Sequence, residues 1–473
     1  MATLALQTQQ KAIDITAHNI ANANTPGYTR QKAQMVTTEP FSYAGAGQVG
    51  TGVIVSDIER IREEFMDYQV RSEKQLMGYW ETRKDSLEKI ELLFMEPSET
   101  GFNSVLGKFF DSWQELSKNP ESSPIRTSLV ETSITLTNTV NHLNSQLDNL
   151  KQDTNEMMRI HVNDINSLAD QVAALNQQIV RVTARGDSPN DLMDRRDLLL
   201  DQLSEIIDFT VVHQKNGSAN VFFRGKELVR ESKSYGLMVE NVGSEIEIYW
   251  EKDGEPQGDP IAITRDYTLV RRRDALEGLD SVRQEVTRIQ EEFNALIETI
   301  TEEVNQQHQQ GFTLSGEQPW TEPDPEWNGD FLIWDDTLNR LEVSSHIQED
   351  IGNIAAGLGI QVGEGNGLNA LAIAQLREVR FEIGSSSQTT FEGYYRDTTA
   401  SLGIRTQESS RMVDNQHSLL NQLINRRESV TGVSLDEEMS NLMRFQHAYQ
   451  AAARIVTTLD TMLDTVINRM GVR

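Results

Sequence analysis

The last part of the chain carries an apolar repeat that constrains the fold more than any other feature. The repeat alternates steps of three and four residues through Leu442, Phe445, Tyr449, Ala452, Val456, Leu459, Leu463, Val466 and Met470. This heptad spacing predicts one continuous helix of roughly 40 Å with an apolar stripe along it. Such a stripe needs a partner helix in water. The partner is either a bundle helix of the same chain, the other end of the chain, or another copy.

The start of the chain predicts a second amphipathic helix that can act as this partner. Residues 2–21 contain neither glycine nor proline, and apolar residues recur every seven positions at Leu6, Ile13 and Ile20. The helix is expected to end near residues 22–27, because Asn24-Thr25-Pro26-Gly27 is a turn sequence. Pairing of the two terminal helices would bring both ends of the chain together and loop out the middle.

Composition excludes several classes of function. The 473 residues are enough for two to four domains. With 72 acidic and 43 basic residues, the net charge is −29, which argues against nucleic acid as a partner. No apolar run approaches the roughly 18 residues of a membrane span, and no cleavable signal peptide is recognisable. The absence of cysteine excludes disulfides, thiolate metal sites and thiol nucleophiles.

The helix and strand patterns predict a mainly α fold: an elongated multi-helix protein with paired coiled-coil terminal helices and a small antiparallel β insertion. Helical periodicity covers residues 57–94, 101–116, 124–184 (one helix or two), 190–207, 275–309, 368–382 and 387–430. Residues 209–270 instead contain strand-like runs with the turn pairs Asn216-Gly217 and Asp253-Gly254. The expected parts are a terminal coiled-coil domain (1–30 with 435–473), a long-helix bundle domain (31–206 with 275–310 and 346–434), a β-rich outer insertion (207–274), and loop with short strands (311–345).

No motif in the sequence supports a role in catalysis or cofactor binding. Residues 45–50 match the GxGxxG string, but a strand rather than the required helix is expected after them. Residues 324–335 partly mimic a calcium loop, yet Leu332 stands where a ligand is needed. The eight histidines form no HExxH motif, and neither a GxSxG sequence nor a Walker loop is present. We therefore expect no catalytic residues, no metal and no cofactor.

Both ends of the chain resemble a known family. Residues 19–30 resemble the N-terminal signature of flagellar rod, hook and hook-associated proteins, through Asn19, Asn22, Thr25, Pro26, Gly27 and Tyr28. The runs 432–439 and 445–454 resemble the other end of that family. Its hook-associated members are similar at 186–197, at 113–126, and at Glu303, Val304, Asn305, His308, Gly311 and Gly316. Because the first helix of the family usually extends a turn or more before the position of Met1, we expect this chain to begin inside that helix.

The resemblance implies a structural, non-enzymatic role in the bacterial flagellum. Such proteins leave the cell through the type III export channel without a cleaved signal, and form a junction ring that connects the hook to the filament. The implied partners are further copies of itself, the hook protein, the next junction protein, and an export chaperone on the C-terminal helix, with neither nucleic acid nor membrane. The expected assembly interface comprises Ile13, Ile20, Leu442, Phe445, Tyr449, Ala452, Val456, Leu459, Leu463 and Val466.

Two alternatives remain. A hook or distal-rod structural protein belongs to the same broad class, but residues 186–197 and the long helices at 57–206 argue against it, since those proteins are mostly β between their ends. A flagellum-borne cell-wall hydrolase would need a compact extra domain with convergent carboxylates or a metal set. Residues 209–270 are short for such a domain and contain a single histidine, His213.

Overall fold

The computed structural model describes residues 1–43, 47–94, 101–243, 245–261, 273–319, 327–359, 365–384 and 388–469. The chain folds into two compact units. The first unit comprises residues 1–79, 159–276 and 414–473, and the second comprises residues 80–158 and 277–413. Several long helices continue from one unit into the other along the chain.

The predicted mainly α fold is confirmed. The α-helices of the described ranges are α1 (Ala2–Ala21), α2 (Glu64–Phe94), α3 (Phe102–Lys118), α4 (Ser123–Thr183), α5 (Asn190–Leu203), α6 (Ala275–Gln309), α7 (Ser345–Glu349), α8 (Leu368–Gln375), α9 (Phe391–Thr431) and α10 (Leu435–Asp464). A π-helical turn at Thr465–Arg469 extends α10. None of the helices within those ranges is long and apolar enough to cross a membrane.

Short antiparallel sheets accompany the helices. The strands are β1 (Gln31–Thr37), β2 (Phe41–Tyr43), β3 (Gly47–Val49), β4 (Val53–Arg60), β5 (Phe209–His213), β6 (Ala219–Phe223), β7 (Lys226–Arg230), β8 (Lys233–Ser234), β9 (Leu237–Val242), β10 (Glu245–Lys252), β11 (Glu255–Gln257), β12 (Leu332–Asp335) and β13 (Arg340–Val343). The sheets pair in the orders β1-β4, β2-β3, β5-β6-β7-β8, β11-β10-β9 and β12-β13.

Several predicted element boundaries are wrong. The helix expected from residue 57 begins at Glu64, because β4 pairs with β1 as far as Arg60. Helix α5 ends at Leu203 rather than near 207, and α8 ends at Gln375 rather than near 382. The stretch at 124–184 forms one helix of 61 residues, since no residue inside it breaks the backbone hydrogen bonds.

Strands β5 to β11 confirm the predicted β insertion over residues 209–257, and its residues 262–270 lie outside the described residues. Asn216 and Gly217 lie in a longer connection between β5 and β6, where Gly217 but not Asn216 has a positive φ, so this pair is not the predicted two-residue turn. Asp253 and Gly254 link β10 to β11 with φ values of 55° and 84°, as a type I′ hairpin turn requires. Asn176 of α4 fastens the sheet to the helix: its Nδ2 donates to Ala219 O and to Glu231 O, each at 2.8 Å. The inward residues of the β5-β6-β7-β8 and β11-β10-β9 sheets share one apolar core with α4 and α5.

The two rejected ligand motifs lie partly outside the described residues. Of the GxGxxG string, Gly47–Val49 form β3, which pairs with β2 and is followed by the strand β4. The strand predicted after the string is therefore present, as β4. Residues 324–326 of the calcium-like string lie outside the described residues. Where the chain is described, no three His, Cys, Asp or Glu side chains are grouped as metal ligands.

The second unit is built on an aromatic core around α3. The Trp113 and Phe331 ring centroids lie 4.9 Å apart, and His308 packs beside both rings. His308 is fully buried; its Nδ1 lies 2.8 Å from Gly329 O, and its Nε2 accepts from Ala355 N at 2.9 Å. The bond from Ala355 N requires an unprotonated Nε2 and therefore the neutral ring, and the two bonds join α6 to two loop segments.

Candidate assembly surface on the terminal helices

The terminal helices α1 and α10 pack along each other. Asn19, near the end of α1, donates a hydrogen bond of 3.0 Å to Glu438 in the first turn of α10. Two helices that contact along their length, with the end of one beside the start of the other, are antiparallel. The predicted pairing of the terminal helices is therefore confirmed.

The apolar stripe of α10 is covered over only part of its length. Ala452 is 6% exposed, whereas Val456 is 38% and Val466 is 60% exposed. Helix length explains the change: Asn19 lies beside Glu438, and α1 begins 17 residues before Asn19, at Ala2, so α1 ends opposite about residue 455 of the antiparallel α10. We call residues 456–469 the overhang.

The residues expected at the assembly interface differ in their exposure. The partly or fully buried ones are Ile13, Ile20, Leu442, Phe445 and Ala452, and the exposed ones are Tyr449, Val456, Leu459, Leu463 and Val466. The fully buried face of α1 was missed; it consists of the smaller residues Thr8, Ala12, Thr16 and Asn19. Because these side chains are small, strands β1 and β4 can pack closely against α1. Thr8 Oγ1 donates a hydrogen bond of 2.8 Å to Val53 O of β4. Their helical spacing of four, four and three was the available signal.

Asn19 of the family signature is the centre of a buried hydrogen-bond network. Its Nδ2 donates to Gln31 O at 2.9 Å as well as to Glu438. Its Oδ1 accepts from Gln31 N at 3.0 Å and from Tyr28 OH at 2.7 Å. One amide thus joins α1, the first strand, the signature turn and α10, which gives the sequence signature a structural explanation.

Tyr28 contributes a phenol that stays protonated. Burial is the main factor that raises the pKa of Tyr28 well above its ordinary value. The carboxylates of Asp191, Asp194 and Glu438 raise the pKa further. Its hydroxyl therefore donates to Asn19, and His18 Nδ1 lies 3.0 Å from the same oxygen. The hydroxyl holds the turn after α1 against the helix.

Glu438 is a buried carboxylate that sequence reasoning did not single out. Only 2% of this residue is exposed, and Arg30 Nη2 lies 2.8 Å from its Oε1. Arg30 also pairs with the exposed Glu437 at 2.8 Å, and its backbone N donates to Thr431 O at 2.9 Å. The family strings at the two ends of the chain therefore meet in one ion-pair network.

The signature turn between α1 and β1 depends on glycine. Asn22 Nδ2 donates to His18 O at 3.0 Å, and Thr25 N donates to Asn22 O at 2.9 Å. Gly27 has φ +77°, and a Cβ atom at this position would lie 3.1 Å from Leu198 Cβ of α5. Both the left-handed backbone and the close approach to α5 therefore require glycine. Pro26 is exposed beside it.

A row of aspartates on α5 fastens this turn to three other elements. Asp194 Oδ2 accepts from Thr29 N at 2.9 Å, and its Oδ1 lies 2.8 Å from Arg60 of β4. Asp197 also pairs with Arg60 at 2.8 Å. Asp201, one turn further along, pairs at 2.7 Å with Arg71 of α2 and at 2.7 Å with Arg427 of α9. The residues 186–197, recognised only as a family string, thus begin a buried ionic row.

The arginines keep two of these aspartates ionised. Burial opposes ionisation of Asp197, but Arg62, Arg60, Arg196 and Arg71 together hold its pKa below the ordinary range. The pKa of Asp201 is likewise lowered, since Arg71 and Arg427 outweigh the effect of burial. Burial raises the pKa of Asp194 despite its bond to Arg60. The aspartate row has a structural role, because its carboxylates form ion pairs with arginines of the same chain.

The comparisons with known proteins agree with these features. The family model "Flagellar hook-associated protein FlgK helical domain" matches residues 87–319. The models "Flagella basal body rod protein" and "Flagellar basal body rod FlgEFG protein C-terminal" match residues 1–29 and 428–470. The solved flagellar hook junction protein FlgK from Burkholderia pseudomallei shares the fold, with a TM-score of 0.65 at 16% identity over 77% of this chain and 100% of that chain.

Curated relatives match over the full length. Flagellar hook-associated protein 1 of Bacillus subtilis is 34% identical over 100% of this chain and 97% of its own length. Flagellar hook-associated protein 1 of Escherichia coli is 25% identical over 98% of each chain. The resemblance inferred from the two ends of the sequence is confirmed. The chain belongs to the flagellar hook-associated protein 1 (FlgK) family, the non-enzymatic structural proteins of the hook–filament junction outside the cell.

Proposed function

We propose that this chain joins further copies of itself into the ring of the hook–filament junction through the overhang of α10. The observation that carries the proposal is the change in exposure along one helix face. In the stretch that α1 covers, Leu442, Phe445 and Ala452 are partly or fully buried and Tyr449 is 36% exposed, whereas beyond it Leu459, Leu463 and Val466 are each more than half exposed. A contiguous apolar surface of this kind is typical of a protein–protein contact.

The neighbours on the two sides of the ring are, in this proposal, the hook protein and the next junction protein. The terminal coiled-coil domain of residues 1–30 with 435–473 carries the contacts between copies. The other three parts of the division proposed from the sequence are not needed for that contact. Support comes from family membership and from the position of the exposed stripe at one end of α10.

The double variant Val456→Asp with Leu459→Asp tests this surface. Each aspartate would be buried without a partner charge in the contact between copies, which costs several kcal/mol. We expect hooks without filaments and variant protein in the medium, with unchanged circular dichroism. The matched control is Thr457→Asp with Thr461→Asp, which adds the same charge to exposed positions on another side of the same helix. Normal swimming of the first variant would contradict the proposal.

We also propose that an export chaperone covers the overhang before export. The same exposed stripe would otherwise be free in the cell. Secretion of the Val456→Asp, Leu459→Asp variant should then fall below that of the threonine control, so hook joining is measured per secreted molecule. Equal secretion of the two variants would exclude the chaperone proposal and leave the ring proposal standing.

A further inference from the structure

The sulfur chemistry of this chain is confined to methionine. The sequence has 14 methionines and no cysteine. Met66, Met77 and Met158 are buried, whereas Met462 in the overhang is 58% exposed and Met1 is 71% exposed. Because oxidation of methionine follows its exposure, peroxide would reach Met462 well before the buried residues.

Met462 lies in the middle of an exposed apolar row. Ile455, Leu459, Met462 and Val466 are spaced by four, three and four residues, which places them along one side of the helix. Each of the four is more than half exposed. Leu459 and Val466 also belong to the stripe proposed to contact another copy. A change of polarity at Met462 therefore falls within or directly beside that contact.

We propose that Met462 is an oxidation site that controls assembly of the ring, an inference that rests on the proposed function of the overhang. The Met462 sulfur attacks one oxygen of a hydroperoxide, the O–O bond breaks, and the sulfoxide and water (or an alcohol) are formed. The sulfur is oxidised by two electrons and the peroxide is reduced by two. Sulfoxide reductases reverse the change.

The sulfoxide weakens the contact because it converts an apolar side chain into a strong hydrogen-bond acceptor. Buried in an apolar contact, that oxygen loses its bonds to water without replacement. Oxidation has its effect on the exported chain before assembly, because a neighbouring copy covers the sulfur once the ring has formed. Met439 and Met443 are also exposed, but they follow Leu435 along a different side of α10.

The test uses the purified full-length protein, treated with hydrogen peroxide and added to hook-bearing cells that lack it. Peptide mass spectrometry measures sulfoxide at each methionine, and electron microscopy counts hooks that regain filaments. We expect oxidised protein to join about tenfold less well, equivalent to about 1.4 kcal/mol. Treatment with both methionine sulfoxide reductases should restore joining.

Three variants assign the effect to one sulfur. Met462→Leu should join normally and resist peroxide, although its other methionines are oxidised. Met157→Leu is the matched control, since Met157 is 37% exposed but lies in the second unit; it should stay sensitive. Met462→Gln, a polar side chain of similar length, should join poorly without peroxide.

The outcomes separate this inference from the proposed function. Normal joining by protein with Met462 fully oxidised would overturn it, as would equal sensitivity of Met462→Leu and the wild type, or failure of peroxide to modify Met462. The untreated Val456→Asp, Leu459→Asp variant tests the overhang without oxidant. If that variant is excluded from hooks while oxidised wild type joins, the oxidation proposal alone fails.

Discussion

Asn19 and Glu438 share a hydrogen bond of 3.0 Å, although 419 positions separate them in the sequence. The bond joins the end of α1 to the start of α10, and both side chains are buried. It fixes where the antiparallel pair begins. Because the helix lengths then decide how far α1 covers α10, this single contact also determines which part of the apolar stripe remains exposed.

Glu438→Gln should destabilise the terminal pair far more than Glu437→Gln. The first change removes the buried negative charge that pairs with half-buried Arg30, and we expect a loss of about 3 kcal/mol. The neighbouring glutamate is exposed, so the same change there should cost less than about 1 kcal/mol. Hydrogen exchange of α1 and α10 amides measures both. Equal protection in the two variants would show that the buried pair does not hold the helices together.

Asp197→Asn should loosen the signature turn. The aspartate is buried among several arginines, so loss of its charge leaves them partly unpaired, at an expected cost of about 3–5 kcal/mol in unfolding free energy. Asp191→Asn is the control on the same helix, because Asp191 is largely exposed and accepts one bond from Gln31 Nε2 at 2.8 Å. Urea unfolding and trypsin cleavage after Arg30 report the change. A shift no larger than that of the control would contradict the structural role of the row.

The repeated patterns in the sequence predicted the elements, and the pairing of the ends followed from them. Heptad spacing at Leu442 to Val466 indicated the α10 stripe, and the turn at Asn24–Gly27 indicated the end of α1. What the pattern could not indicate was how much of the stripe α1 covers. That depends on the register of the two helices, which is set by the contact of Asn19 with Glu438 rather than by periodicity.

Buried polar contacts were the other part that periodicity could not predict. Charged residues on a helix are usually solvated, so Asp194, Asp197 and Asp201 carried no local signal of burial. Their partners come from distant elements, as Arg71 and Arg427 show. Asn176 likewise has no sequence feature that marks it as the residue that fastens the β insertion to α4. Such contacts depend on the tertiary fold. The family string at 186–197 includes Asp194 and Asp197 but does not indicate their partners.

Gly27→Ala should destabilise the protein more than Gly186→Ala. Both glycines have a positive φ, +77° and +86°, so alanine costs about 1–2 kcal/mol at either position. At Gly27 the new methyl group would also contact Leu198, whereas at Gly186 no atom lies within 4 Å. Thermal unfolding of the two variants isolates the steric contribution. Equal melting temperatures would show that α5 moves away freely from the turn.

His308 should make the second unit sensitive to acid. Burial, aided by Arg126 and opposed by the bond to Gly329, lowers its pKa to about 4. Between about pH 6.5, its ordinary pKa, and about pH 4, the unfolded chain therefore binds a proton that the folded chain does not. The unfolding free energy should fall with decreasing pH by about 3 kcal/mol in total. Urea titrations followed by tryptophan fluorescence at about pH 7 and about pH 4.5 measure most of this change. His308→Gln should be less stable at neutral pH but much less pH-dependent, whereas His142→Gln, at an exposed position of α4, should behave like the wild type. The same pH dependence in all three proteins would mean that buried His308 is not the group that titrates.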